Sequence, residues 1–191
     1  MVRLKIRDFR RNEIIDAAIA TIAESGLSNT TLAMIATQAG VSPALVNHYF
    51  DGKEELLEAT MRRLTKDLAG TIWKLLPPEP TPLDRVHAII DGCLTPEHFG
   101  PGTMLAWLSC WVQIPGNPRF AKLQRTINRR FHSNLIFALR SLVPEELVEE
   151  TAVGLFALID GFWLRQWIDR GGVELPFARL VCRNYIARIC A

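Results

Sequence analysis

The sequence predicts an all-α protein, built as a small N-terminal three-helix unit followed by a larger helical region. Three observations lead there. Apolar residues recur at helical spacing, about every 3.6 positions, along almost the whole chain. No segment shows the strict apolar–polar alternation of a strand. Glycine, proline and capping residues punctuate the chain at helix-length intervals. The 191 residues are 49% apolar, enough for a sizeable core, and the net charge of +2 sets up no strong global field.

The elements follow in order. Asp8–Glu24 carries Ile14, Ala17, Ala18, Thr21 and Ile22 on one face and stops at Gly26. Thr30 or Thr31 caps a short second helix that buries Leu32, Ile35, Ala36 and Ala39, and Gly40 ends it. Ser42 caps a third, with Pro43 in its first turn. Asp51 and Gly52 open a long fourth helix, 53–75. Further helices are expected near 82–94, 101–115, 117–142, 145–170 and 176–190. The run PPEPTP, Pro77–Pro82, is the clearest interruption, and the long fourth helix belongs to both sides of it. One echo stands out: IIDG at 89–92 and LIDG at 158–161.

Charge and cysteine usage narrow the class. Arg3, Lys5, Arg7, Arg10 and Arg11 face Asp8 alone in the first eleven residues, so the N-terminus reads as a solubilising tail or a phosphate-binding arm. Cys93, Cys110, Cys182 and Cys190 are widely spaced and read as buried thiols in a reducing cytosol. The basic N-terminus has no long apolar run behind it, and no stretch reaches ~18 consecutive apolar residues, so neither a signal peptide nor a membrane span is expected. His48, His87, His98 and His132 are scattered, and no G-x-S-x-G, phosphate loop or H-E-x-x-H occurs. No enzyme, metal or cofactor is expected.

The stretch AGVSPALVNHYFDGKEEL, Ala39–Leu56, carries the functional signal. At about 100° per residue, Val46, Tyr49 and Phe50 fall on one side of the third helix and Ala44, Leu45, Asn47 and His48 on the other. A helix, a tight turn at Gly40 and a short helix with a small, polar outer face is a helix-turn-helix pattern. Such a helix fits the ~12 Å major groove, and its N-terminus at Ser42 offers N–H groups to phosphate. A plain helical hairpin shares the same spacing.

The segment TLAMIATQAGVSPALVNHYFDGKEELLEATM resembles the DNA-binding segment of TetR-type repressors. Further on, AIIDG, AWLSCWVQIPGNPRFAKLQRTINRRFHSNL and ALIDGFWLR resemble the choline-responsive members of that family, which control glycine betaine synthesis. The resemblance runs roughly from Arg10 to Gly172. It implies a DNA-binding domain at 1–53 and an effector-binding and dimerisation domain at 54–191. It also implies a transcriptional repressor that a small ligand, choline or a related quaternary ammonium compound, releases from an inverted-repeat operator. Arg3, Lys5 and Arg7 would follow phosphate or enter a minor groove. Thr31, Ser42, Tyr49 and Lys53 would hold phosphates, and Pro43, Ala44, Leu45, Asn47 and His48 would lie at the bases. Two departures are Ala33-Met34, where the family often carries charge, and Leu45, where a hydroxyl residue is common. A leucine can touch only a thymine methyl.

For the effector, Trp107 and Trp111 share one helix face, while Phe156, Phe162, Trp163 and Trp167 form a second aromatic group. Such stripes are core in most helical proteins. The alternative is an aromatic cage, since a quaternary ammonium is held over π faces at ~2 kcal/mol when desolvated. The expected ligand residues are Trp107, Trp111, Asp91, Trp163 and Phe99. Asp91 and Asp160 are the candidate counter-charges, or else partners of arginines, with Arg165 facing Asp160. Arg119, Lys122, Arg125, Arg129 and Arg130 are expected to form a solvated face pairing with Glu145, Glu146, Glu149 and Glu150. The apolar surface of the last two helices exceeds one monomer wall, so a cytoplasmic homodimer through them is expected. A TetR-type regulator for another hydrophobic or cationic ligand, and a helical ligand-binding protein without operator binding, remain as alternatives.

Overall fold

The computed structural model describes residues 2–169 and 172–190, with the side chains of 2–6 and of Pro101 outside that description. Ten helices make up the described chain: α1 (Val2–Ser25), α2 (Leu32–Gln38), α3 (Pro43–Tyr49), α4 (Gly52–Lys74), α5 (Pro82–Cys93), α6 (Pro96–Phe99), α7 (Pro101–Val112), α8 (Pro118–Leu139), α9 (Glu145–Ile168) and α10 (Leu175–Cys190). No strand occurs among the described residues. Two differences from expectation have local causes. Helix α1 starts at Val2, so the basic N-terminal segment is the first turns of a helix, not a tail. Helix α6 was not anticipated, although Thr95-Pro96 repeats the cap-then-proline signal of Ser42-Pro43 and Thr81-Pro82.

The chain forms two compact units. The first holds everything through Thr65 together with Pro101–Leu123. The 1–53 and 54–191 division therefore does not coincide with these units: α7 packs along α1, where a Cβ at Gly102 would lie 3.1 Å from that of Ala23. Ile14, Ile15 and Ala18 of α1, Ile35 and Ala36 of α2, Val46 of α3, Phe50 just after it, and Leu56 of α4 make one core. Arg11 lays its guanidinium 4.6 Å from the centre of the Phe50 ring. Cys110 is buried in this unit.

The second unit holds Lys66–Gly100 and the chain from Gln124 onward. Val86, Ile90, Leu94, Leu135, Leu139, Leu155, Ile159, Cys182 and Ile186 are buried in it. Gly92 lets α5 approach α4 closely, because a Cβ there would run into Ile72. Gly154 does the same for α9, where a Cβ would run into the Tyr185 hydroxyl. Three of the four cysteines are buried, as expected, but Cys190 is exposed, at the last turn of α10. The α8–α9 charge pairing also differs from expectation. Glu149 meets His132 (2.8 Å) and Glu145 meets Arg140 (3.8 Å), while Arg119 pairs with Glu58 of α4 (2.9 Å). Arg125, Arg129 and Arg130 project from α8 without an ion pair among the described residues.

Candidate nucleic-acid interface and effector residues

The α2–turn–α3 geometry follows from local chemistry. Thr31 Oγ1 accepts the Met34 N–H at 3.2 Å, and Ser42 Oγ accepts the Leu45 N–H at 3.2 Å. Gly40 sits at φ +64°, a conformation that favours glycine, and the Val41 N–H closes the turn on the Ala36 carbonyl at 2.9 Å. Gly52, at φ +82°, allows the equally sharp entry to α4. Val46 and Phe50 are fully buried, and Val41 and Tyr49 pack against the same core. With that face committed, Ser42, Pro43, Ala44, Asn47 and His48 are exposed together, and Leu45 is half-buried beside them. His48 meets the edge of Tyr49 at 5.5 Å between ring centres. Thr31 and Arg7 are exposed as well. The side chains of Arg3 and Lys5 lie outside the described residues.

Lys53 makes contacts that its motif position did not reveal. Its ammonium donates to the carbonyls of Leu27 (2.8 Å) and Thr30 (2.6 Å), tying the α1–α2 loop to the start of α4. An ammonium carries three donors, so one remains for a phosphate.

The sequence-predicted effector residues divide between the units. In the first, Trp107 is buried and Trp111 half-buried on α7, their ring centres 6.0 Å apart at 43°. In the second, Phe99 is buried, and Trp163 is buried with its indole N–H donating to the Cys93 carbonyl at 2.9 Å. His98, next to Phe99, is buried with Nε2 3.0 Å from Thr71 Oγ1, and burial lowers its pKa.

The two candidate carboxylates differ. Asp91 faces α10: Arg183 donates to its Oδ2 at 2.5 Å, and Arg179 Nε lies 4.0 Å from Oδ1. Arg179 is itself held by the Leu94 carbonyl at 2.9 and 2.6 Å. Asp160 has no hydrogen bond or ion pair among the described residues. Its expected partner, Arg165, lies 3.6 Å from Asp169 instead. Burial pushes the Asp160 carboxyl up to about 6. Nothing in the primary structure separates the two aspartates, since each sits in an apolar helix before a glycine. Only the α10 arginines do.

Comparison with known proteins agrees with this architecture. Residues 14–60 match the model for bacterial regulatory proteins of the tetR family. Residues 82–191 match the model for the C-terminal region of BetI-type transcriptional repressors. The chain is 38% identical over 187 residues to the HTH-type transcriptional regulator BetI of Brucella anthropi, covering 98% of this chain and 96% of that one. It is 36% identical over 190 residues to BetI of Escherichia coli (strain SE11), covering 98% and 97%. Among solved structures, a TetR transcription regulator from Haloarcula marismortui superposes with a TM-score of 0.84 at 23% identity, covering 95% and 98%. A transcriptional regulator from Saccharomonospora viridis in complex with choline superposes with a TM-score of 0.82 at 22% identity, covering 93% and 95%. With a tetR-family match over its N-terminal helices and a BetI-type C-terminal region spanning more than half its length, the chain belongs to the TetR family of transcriptional regulators, among the BetI-type repressors.

Proposed function

We propose that a homodimer of this chain holds an inverted-repeat operator with one α3 in each of two successive major grooves, and leaves it when a choline-type quaternary ammonium effector binds. The observation that carries the DNA part is the sorting of α3. Val46 and Phe50 are locked into the core, so Pro43, Ala44, Asn47 and His48 are held outward together. Small residues at the tip allow close approach to base edges, Asn47 has the donor–acceptor pair that reads adenine, and Arg7, Thr31, Ser42, Tyr49 and Lys53 supply phosphate contacts. A two-fold dimer spaces its reading helices by about 34–36 Å, one DNA turn. Fluorescence anisotropy on a palindromic operator library, titrated with salt, tests this. Affinity for one sequence well above that for random DNA is expected, and equal affinity for all would leave only charge-driven binding.

The dimer reading is supported by the outer faces of α9 and α10. Val153, Ala157, Gly161, Leu164 and Ile168 form one exposed stripe on α9, and Phe177 and Leu180 continue the exposed apolar surface on α10. A second copy of the chain would bury them.

The effector reading is supported by the BetI-type C-terminal match, by the choline held in the Saccharomonospora viridis relative, and by the aromatic groups. A cation without hydrogen-bonding capacity is held by π faces. Trp107 and Trp111 form one candidate group, and Trp163 and Phe99, with Asp91 or Asp160 as counter-charge, form the other. Effector binding has to favour one of two separations of the reading helices. The continuous α4, which begins just after α3, is the element suited to transmit it. Release of labelled operator by choline tests the reading, and retention of DNA at millimolar choline would rule choline out.

A further inference from the structure

We propose that the carboxylate of Asp160 is the counter-charge for the cationic effector, and that Asp91 is a structural ion-pair partner of α10. This rests on the quaternary ammonium reading above. The two aspartates sit in near-identical contexts, IIDG and LIDG, yet the fold gives them opposite surroundings. Asp91 is neutralised by Arg183, with Arg179 close by. Asp160 is half-buried on α9 with no hydrogen bond and no cation among the described residues.

The neighbouring groups explain why no side chain fills that role. Cys93 of α5 is the titratable group shown beside Asp160, with Cys182 of α10 close to Cys93, and both are buried thiols that burial keeps neutral. Arg179 is committed to the Leu94 carbonyl and Arg183 to Asp91, and on α9 itself Arg165 turns toward Asp169. Trp163, one turn further along the same side of α9, is fixed in orientation by its bond to the Cys93 carbonyl. An uncompensated carboxylate in such a place opposes folding unless something positive joins it. Burial raises its pKa accordingly, which agrees with a site that a cation would complete. A quaternary ammonium has the required charge, needs no hydrogen bond, and tolerates apolar walls.

The test uses three probes on the full-length protein, by isothermal titration calorimetry above pH 7. Choline carries the cation and a hydroxyl. Tetramethylammonium carries the cation alone. The neutral isostere 3,3-dimethylbutan-1-ol carries the hydroxyl alone. Asp160→Asn should weaken choline and tetramethylammonium by about tenfold or more and leave the neutral alcohol unchanged. A variant that binds choline as well as the wild type does would overturn the assignment while the choline reading stood. Weakening of choline with tetramethylammonium untouched would make Asp160 a hydroxyl acceptor, and that too overturns it. If the wild type binds none of the three, the effector reading fails and this inference goes with it.

Discussion

The ammonium of Lys53 lies 2.8 Å from the Leu27 carbonyl oxygen and 2.6 Å from that of Thr30, so a residue proposed to contact phosphate also closes the α1–α2 loop. Lys53→Ala is therefore expected to act twice. It should lower stability by ~1–3 kcal/mol through the loss of two charge-assisted hydrogen bonds, and weaken all DNA sequences alike, with a salt slope about one unit smaller. Asn47→Ala, on the exposed face of α3, should leave the melting temperature unchanged and relax discrimination by ~1–3 kcal/mol at one base pair of each half-site. Thermal melts alongside anisotropy titrations at several salt concentrations separate the two. Equal losses on specific and random DNA for Asn47→Ala would exclude base reading.

The dimer surface is tested on the exposed stripe of α9 and not on Phe156. Phe156 packs edge-on against Phe131 at 5.4 Å within the chain. Phe156→Glu should destabilise the monomer itself. Val153→Glu and Leu164→Glu change exposed positions and should give folded monomers by light scattering, because each places an unpaired charge in the proposed interface. Dimers that persist in both would place the interface on another face.

Two tryptophans should part company on substitution to leucine. Trp163 is buried and satisfies the Cys93 carbonyl, so Trp163→Leu should cost several kcal/mol of apo stability, on the order of 3, from cavity and lost bond together. Trp111 is half-buried, and Trp111→Leu should leave the apo melting temperature nearly unchanged. If Trp111 supplies a π face to the effector, the same change costs ~1–2 kcal/mol of choline affinity, roughly 5- to 30-fold. Unchanged affinity in Trp111→Leu would leave the second aromatic group as the holder.

Asp160 also predicts a pH dependence. Its folded pKa, about 6, lies above the ordinary value of 3.8, so folding favours the protonated form. Its contribution is fully present below about pH 4 and is lost as pH rises through about 6. Relative to Asp160→Asn, the apo wild type should lose stability across that window, by at most ~2 kcal/mol given the partial exposure of the group. Urea midpoints at pH 4.5 and 7.5 measure it. A wild-type-minus-variant difference that is flat with pH would mean the carboxylate is solvated.

Two helical glycines should respond in opposite directions to alanine. Gly92→Ala forces a Cβ into Ile72, side chain and backbone, and should cost ~1–3 kcal/mol. Gly70→Ala, in the interior of α4 with open space around it, should stabilise by ~0.5–1 kcal/mol through helix propensity. Chemical denaturation of the two variants at one protein concentration checks the pair.

Local chemistry made much of this protein legible from its sequence. Ser42 ahead of Pro43, Gly40 in the turn, and Val46 and Phe50 on one side of a short helix are interactions among residues a few positions apart, and periodicity reads such interactions directly. They determined the helices, the outward face of α3 and the exposure of Asn47 and His48. Tertiary structure alone decided the rest, because it depends on partners far along the chain. It brought α7 against α1 and so redrew the compact units. It placed Lys53 on a carbonyl 26 residues away. It also gave Asp91 an arginine 92 positions later while leaving Asp160, in the same four-residue context, without one. A carboxylate's role is set by which charges surround it, and in a helical protein those charges arrive from helices that the local pattern does not connect.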